Sequence, residues 1–281
     1  MARGDVVGAV ETDKGVIDLE CFETGTVAEL VAGPGTRVDV GGVLALLDTE
    51  GEAATEAARA PAAAMRAAIA AAMSRAKREI PHYYLSLQMD FGAAVAWLER
   101  HDAAVEPAGR LLYPALVIKA VALATREVPG FSGFFREGRF EPAPEAHVGV
   151  AIALRGGGLI APAILDAAAK PLDLLMAEFR DLVSRARTAR LKSSELTAPT
   201  ITVTSLGDVG VETVLPVIHP PQVAMVGVGS VVQRPWVVDG HVVARPVVTL
   251  ALAGDHRVSD GRVGAQFLDR IRQKLDAPEA L

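Results

Sequence analysis

The feature that most constrains this chain is a change of pattern near its C-terminus. Residues Val247 to Ala253 form a continuous, almost wholly apolar run. A run of that length without polar alternation reads as a strand covered on both faces. It is followed by Asp255-His256-Arg257-Val258-Ser259-Asp260-Gly261, and then Val263, Phe267, Leu268, Ile271 and Leu275 recur at helical spacing. A buried strand that turns within seven residues into an amphipathic helix requires a sheet with that helix laid against it. The histidine falls on the turn between the two elements. A turn held at both ends can fix an imidazole closely, and neutral imidazole near pH 7 is the usual general base for a thiol or hydroxyl. A solvated loop with an ordinary histidine fits these seven residues equally well.

Upstream, helix and strand patterns alternate. Met65 to Lys77 is rich in helix formers, with Met65, Ile69 and Met73 on one face and Pro81 as a stop. His82 to Asp90 reads as a strand, Ala93–His101 and Tyr113–Val128 as helices, and Pro129-Gly130 as a loop. His147–Leu154 and Leu159–Leu165 read as strands joined across Gly156-Gly157-Gly158, a hairpin turn without the following helix that a phosphate loop needs. Lys170 to Leu191 is a long amphipathic helix with Leu174, Leu175, Phe179, Leu182 and Val183 on its sheet-covering face. Thr200–Leu206 is a further strand. Val223–Val238 and His241–Ala253 make a long hairpin about Asp239-Gly240. The expected fold is an α/β sandwich: a mixed sheet with helices packed on it, over residues 62–281.

Composition narrows the partners. With a net charge of −6 and scattered Lys and Arg, no basic stripe points to nucleic acid and no polybasic run to a membrane surface. No apolar run is long and uninterrupted enough to span a bilayer. The single cysteine, Cys21, excludes an internal disulfide and a cysteine-based metal cluster, and Met1-Ala2-Arg3-Gly4-Asp5 is not a signal peptide. The expected location is the cytoplasm.

The first fifty residues repeat. Gly4 to Asp13 aligns without a gap on Gly41 to Glu50, an offset of 37, each a short apolar strand ending in an acidic turn. The second unit runs from about Gly25 through Gly33-Pro34-Gly35 to Leu47, whereas the counterpart of the first would begin before Met1. Between them Glu11-Thr12-Asp13-Lys14-Gly15, flanked by Val6–Val10 and Val16–Leu19, is a hairpin with the lysine at its tip. Residues 51–61, GEAATEAARAP, read as an Ala/Glu-rich linker with a flexible reach of roughly 20 Å.

The stretch ETDKG followed by VIDLECFETGTV resembles the lipoyl domain of 2-oxo-acid dehydrogenase complexes, here the C-terminal part of an all-β module with its first half missing. The resemblance implies lipoic acid in amide linkage on Lys14; Asp13 argues against the related biotin carriers. Downstream, MSRAKREIPHYYLS, ALRGGGLIAPAI, TVTSLGDVG through HPPQVAMVGVG, and DHRVSDG occur in the order seen in the acyltransferase core of those complexes, from Met65 to Leu281. Chloramphenicol acetyltransferases share that core fold and an HxxxD pair.

This family resemblance implies an acyltransferase that moves an acyl group between dihydrolipoamide and coenzyme A. His256 would be the base that takes the coenzyme A thiol proton. Thr204, in Thr202-Val203-Thr204-Ser205-Leu206-Gly207, aligns with the hydroxyl that donates to the developing oxyanion, although serine is more usual there. Ser205 would face the other side of the strand. Asp260 would hold the site together or cap the following helix. His82, His101, His147, His219 and His241 have no matched role. The resemblance also implies a homotrimer, a larger cage of trimers, and a thiamine-dependent 2-oxo-acid decarboxylase and dihydrolipoamide dehydrogenase as partners. Acetyl, succinyl and branched-chain acyl groups are not distinguished. Two other readings stand: a non-catalytic scaffold or assembly subunit, and acyl transfer to a small-molecule alcohol.

Overall fold

The computed structural model describes residues 5–12, 15–20, 24–38, 43–48, 66–103, 105–107, 109–154, 158–188 and 190–281. The chain divides into two compact units, Met1–Ala67 and Ala68–Leu281. In the first, β1 (Val6–Thr12) pairs antiparallel with β2 (Gly15–Glu20), and β3 (Thr26–Leu30) with β4 (Ala45–Asp48). The two-stranded pairing of Thr12 with Gly15 agrees with the expected hairpin, while Asp13 and Lys14 at its connection lie outside the described residues. Thr36 donates to the Gly33 carbonyl and Gly35 has φ +83°, the left-handed geometry that the Gly33-Pro34-Gly35 turn requires. Val6, Leu30, Val31, Val43 and Leu46 are exposed. The linker at 51–61 lies outside the described residues.

The second unit opens with α1, helical over residues 66–79, which leads into β5 (His82–Asp90). Ile69 and Met73 are half-buried, and the same stripe continues through the fully covered Ala76 and Ile80. Met65 lies outside the described residues. Next come α2 (Gly92–Asp102) and α3 (Tyr113–Glu127), with Pro114 in the first turn of α3, where its missing N–H has no intrahelical partner to lose. Pro129-Gly130 is part of a 3-10 turn, Pro129–Phe131, rather than an open loop. After it a small hairpin, β6 (Gly133–Arg136) and β7 (Arg139–Pro142), turns on Glu137 and Gly138, both at positive φ. The sequence reading had no element there.

The two strands expected around the glycine triplet are each broken. β8 (Val148–Val150) and β11 (Ala163–Ile164) pair within the main sheet, whereas β9 (Ile152–Ala153) and β10 (Leu159–Ile160) form their own hairpin; residues 155–157 lie outside the described residues. Pro162, which has no N–H for a ladder, sits at the break. α4 (Leu172–Arg187) packs against α3 and β11. It buries Leu175, Met176, Leu182 and Ala186, but Leu174 is exposed. At about 100° per residue Leu174 lies well outside the arc that those side chains share, so it does not belong to the face assigned to it.

A short helix, α5 (Ser193–Thr197), precedes β12 (Ile201–Ser205). The remaining strands are β13 (Ala224–Val228), β14 (Val232–Val238) and β15 (His241–Asp255), followed by α6 (Gly261–Asp276). The expected hairpin of 223–238 with 241–253 forms, with one extra residue in its first arm: pairing passes from Val228↔Leu250 to Val232↔Val247. Asp239 and Gly240, both at positive φ, make the tip. The result is a seven-stranded sheet in the order β11-β8-β12-β13-β15-β14, with β5 also on β15; β12 runs parallel to β8 and β13, and the other pairs are antiparallel.

The sheet separates two apolar layers. On one side Leu250, Leu252, Val226, Val203 and Ile201 meet α3 and α6, where Phe131 and Phe267 stack with centroids 4.4 Å apart. On the other, Ala76 and Ile80 of α1 cover Met225 and Ala253 together with Ile218. Alternate residues of one strand therefore belong to different layers, which decides where each site residue can point.

Candidate active site

The strand-to-helix turn is held from three directions. Asp255 closes β15 opposite His82, and its amide donates to the Val223 carbonyl. The His256 amide donates to the Pro81 carbonyl at 3.0 Å. Asp260 caps α6: its Oδ1 accepts from the amides of Arg262 (2.9 Å) and Val263 (3.0 Å), satisfying donors that the helix start leaves free. The aspartate thus acts here through the helix terminus, and among the described residues it joins no ion pair. Within this frame the His256 side chain is exposed, and its imidazole meets the Tyr83 ring edge-on at a centroid distance of 5.3 Å.

The charged pair of the turn is another one. Asp255 is fully buried and binds Arg257 in a fork, Nη2 to Oδ2 at 2.6 Å and Nε to Oδ1 at 2.9 Å, while Oδ1 also accepts the Arg257 amide. The guanidinium lies over the Phe135 ring at 3.9 Å. Sequence reasoning passed over this pair, although an acid and an arginine two residues apart around a candidate base were its signal. Arg257 and Phe135 line a cavity of about 500 Å³ beside the turn.

Thr204 sits on β12, in register with Gly227 of β13, and is 8% exposed. Its hydroxyl makes no hydrogen bond to a described residue. The segment before β13 crosses close above it, since a Cβ added at Gly227 would overlap the Val214 carbonyl oxygen. Ser205 turns the other way, as expected, and its Oγ accepts the Gly207 amide at 3.3 Å.

One chain does not bring Thr204 and His256 together. Val203 belongs to the α6 layer, so Thr204 points to the opposite side, whereas Tyr83, against which His256 rests, packs on the α6 layer. Thr204↔Gly227 and Gly227↔Ala251 place the threonine two strands across from β15 and five positions short of residue 256. At about 3.3 Å per residue and about 4.8 Å between strands this is on the order of 15–20 Å. Lys14 lies outside the described residues.

Residues 54–281 match the family described as 2-oxoacid dehydrogenases acyltransferase (catalytic domain), and residues 1–47 match one described as biotin-requiring enzyme. This chain belongs to the 2-oxoacid dehydrogenase acyltransferase family. A dihydrolipoyllysine-residue acetyltransferase component of the pyruvate dehydrogenase complex from Staphylococcus aureus is 32% identical over 222 residues, which are 78% of this chain and 51% of that protein. The chain therefore spans about half the length of the curated relatives it matches. Among solved structures, a probable dihydrolipoamide acetyltransferase from Listeria monocytogenes superposes with a TM-score of 0.71 at 31% identity, covering 75% of this chain and 91% of that one. The Azotobacter vinelandii dihydrolipoamide acetyltransferase gives 0.72 at 28% identity, covering 77% and 90%.

In this acyltransferase-family chain His82 is more than a surface residue. Its Nδ1 faces the Ile80 carbonyl at 2.9 Å and its Nε2 accepts the Ile218 amide at 3.0 Å, a set that requires the neutral ring with its proton on Nδ1. Burial lowers its pKa below the ordinary histidine value, and burial lowers that of His219 too. A histidine depressed in the folded state adds stability above its unfolded pKa, about 6.5, and loses it as pH falls below that value, because the unfolded chain then binds the extra proton. Thermal midpoints measured from pH 7.5 to 5 should therefore fall toward acid. His82→Gln should flatten that slope without abolishing it, since His219 still contributes; an unchanged slope would show that residue 82 is not the group responsible.

Among the described residues no helix is long and apolar enough to cross a membrane.

Proposed function

We propose that this chain is an acyltransferase that moves an acyl group between dihydrolipoamide and coenzyme A, with a site assembled from two copies. The observation that carries the reading is the turn: an exposed imidazole on a rigid strand-to-helix junction, with a buried hydroxyl at Thr204, unpartnered among the described residues, on the opposite face of the same sheet. In the Azotobacter vinelandii enzyme a serine, a histidine and an asparagine have been investigated in the catalytic mechanism; the serine precedes the histidine by 52 residues and the asparagine follows it by 4. Thr204 and Asp260 stand at the same two distances from His256.

His256 takes the proton of the coenzyme A thiol, whose pKa of about 8.5 leaves it mostly protonated at neutral pH. The thiolate adds to the thioester carbonyl of the acyl donor. Thr204 donates its hydroxyl hydrogen to the oxyanion that forms, in a nearly dry position where such a bond is strongest. Collapse expels the other thiolate, and His256 returns the proton to it. Because Thr204 and His256 are separated within one chain, the threonine comes from a neighbouring copy, as in a cyclic trimer. Val237 and Val242, 67% and 72% exposed at the tip of the β14–β15 hairpin, support such self-association. The relatives' names favour acetyl as the acyl group and the pyruvate dehydrogenase complex as the assembly; a thiamine-dependent 2-oxo-acid decarboxylase and dihydrolipoamide dehydrogenase as partners, and the cytoplasm as the location, are part of the same proposal. Lys14 is the proposed lipoyl attachment site, supported by the paired strands on either side of it and the family match over residues 1–47.

The test uses purified protein with free dihydrolipoamide and acetyl-, succinyl- or isobutyryl-coenzyme A. Turnover with acetyl-coenzyme A in the lead, from a particle sedimenting as a trimer or a multiple of one, is expected. A folded oligomer that turns over none of the three donors would overturn the enzyme reading in favour of a scaffold, and a monomer that turns over would overturn the shared site.

A further inference from the structure

We propose that Tyr83 is a positioning residue for the His256 imidazole, gripped by a clasp that the catalytic turn and its two flanking elements build around the tyrosine ring. The proposal rests on the reading of His256 as the base.

The parts of the clasp come from both sides of the histidine in sequence. The Tyr83 and Ser259 hydroxyls share a hydrogen bond of 2.8 Å across 176 residues of chain. Gly254, the register partner of Tyr83 on β15, makes room for the ring, because a Cβ there would stand 2.6 Å from the phenol oxygen. Gly264, in the first turn of α6, makes room on the other side, where a Cβ would lie 2.9 Å from the same oxygen and 2.8 Å from Leu85 Cδ1. A strand residue, a turn residue and a helix residue within eleven positions thus converge on one side chain. That side chain is in turn the ring against which the imidazole rests.

The backbone is tied at the same place. Pro81 accepts the His256 amide and His82 pairs with Asp255, so residues 81, 82 and 83 in succession hold the turn's main chain, its first residue and its functional ring. If Tyr83 only filled space, phenylalanine would serve and Ser259 would have no hydroxyl to meet, whereas the two glycines seat the ring of either residue. Burial raises the phenol's pKa above its usual value, so the hydroxyl stays protonated and can share the bond with Ser259. The imidazole makes no hydrogen bond to a described residue, which leaves the ring contact as its constraint. An exposed imidazole without that wall would divide its time among rotamers, and misplacement by about 1 Å can lower a rate about 10²-fold.

The experiment compares Tyr83→Phe, Ser259→Ala, the double variant and Tyr83→Leu with the wild type and His256→Ala, reading kcat and the KM for coenzyme A separately, with ¹⁵N NMR of the imidazole. Each of the two mild variants should lower kcat roughly 3- to 10-fold with KM within about twofold, as expected for lost positioning rather than lost binding. The double variant should be no worse than the poorer single, because both remove one bond. Tyr83→Leu should lower kcat about 10²-fold and broaden the imidazole resonances. Leu275→Ala, a core variant destabilised by packing alone, should keep its kcat. Wild-type kcat in both mild variants, multiplicative effects in the double variant, or an imidazole equally ordered in Tyr83→Leu would each overturn the clasp. Activity surviving in His256→Ala would instead overturn the base assignment, so the two failures are told apart.

Discussion

Replacing His256 with alanine is expected to lower kcat for acyl transfer by about 10²- to 10⁴-fold, the range lost with a general base. The loss should come without a loss of fold. The imidazole is exposed and makes no hydrogen bond to a described residue, while the hydrogen bond from the backbone amide of residue 256 to the Pro81 carbonyl, the Asp255–Arg257 fork and the Asp260 cap all survive the substitution. Stability should therefore stay within about 0.5 kcal/mol of wild type, as for surface changes away from special contacts. The KM for coenzyme A should also hold, since the interaction removed belongs to the transition state. A fall of less than tenfold in kcat, with the oligomer intact, would rule out His256 as the base.

Thr204→Val is the complementary experiment and has the next largest expected effect. Removing a single oxyanion donor lowers kcat by about 10²- to 10³-fold, and Thr204→Ser, which keeps the hydroxyl, should retain most of the rate. Stability should move the other way. A buried hydroxyl with no described partner carries a desolvation penalty of about 1–3 kcal/mol, and valine replaces it with a methyl of similar size. The valine variant should thus unfold at the same temperature as wild type or above it, while nearly inactive. Mixing His256→Ala with Thr204→Val under conditions that exchange subunits then separates a shared site from an internal one. In random assembly about a quarter of the interfaces pair an intact histidine with an intact threonine, so activity should return to about that fraction. No recovery from a verified mixed oligomer would place both groups in one chain, against the strand register.

The parts legible in the sequence were those set by local pattern. β5 begins where Pro81 stops the preceding helix, α3 and α6 follow apolar residues at helical spacing, and the β14–β15 tip follows Asp239-Gly240. The parts that escaped were decided by neighbours. His147 to Leu154 read as one strand, but the chain leaves the main sheet after Val150 to make a separate hairpin with Leu159 and Ile160. The β6–β7 hairpin is too short for its alternation to stand out, and only the Glu137-Gly138 turn marked it. Spacing groups Leu174 with Leu175, Phe179, Leu182 and Val183, yet it lies outside the arc of α4 that α3 and β11 bury.

The candidate site divides along the same line. That a histidine stands at a strand-to-helix junction, four residues before a helix-capping aspartate and 52 after a strand threonine, is fixed by residue order and periodicity alone. Which face of the sheet each group occupies, and how far apart they lie, follows from register. A strand's side chains alternate sides, and the ladder adds each strand's offset to the next. The Asp255–Arg257 fork, the neutral His82 ring and the Tyr83–Ser259 bond are decided only in the folded chain, because burial determines which charges must pair and which hydroxyls must find each other. Tyr83 and Ser259 stand 176 residues apart, and nothing short of β5 lying beside β15 puts them in contact.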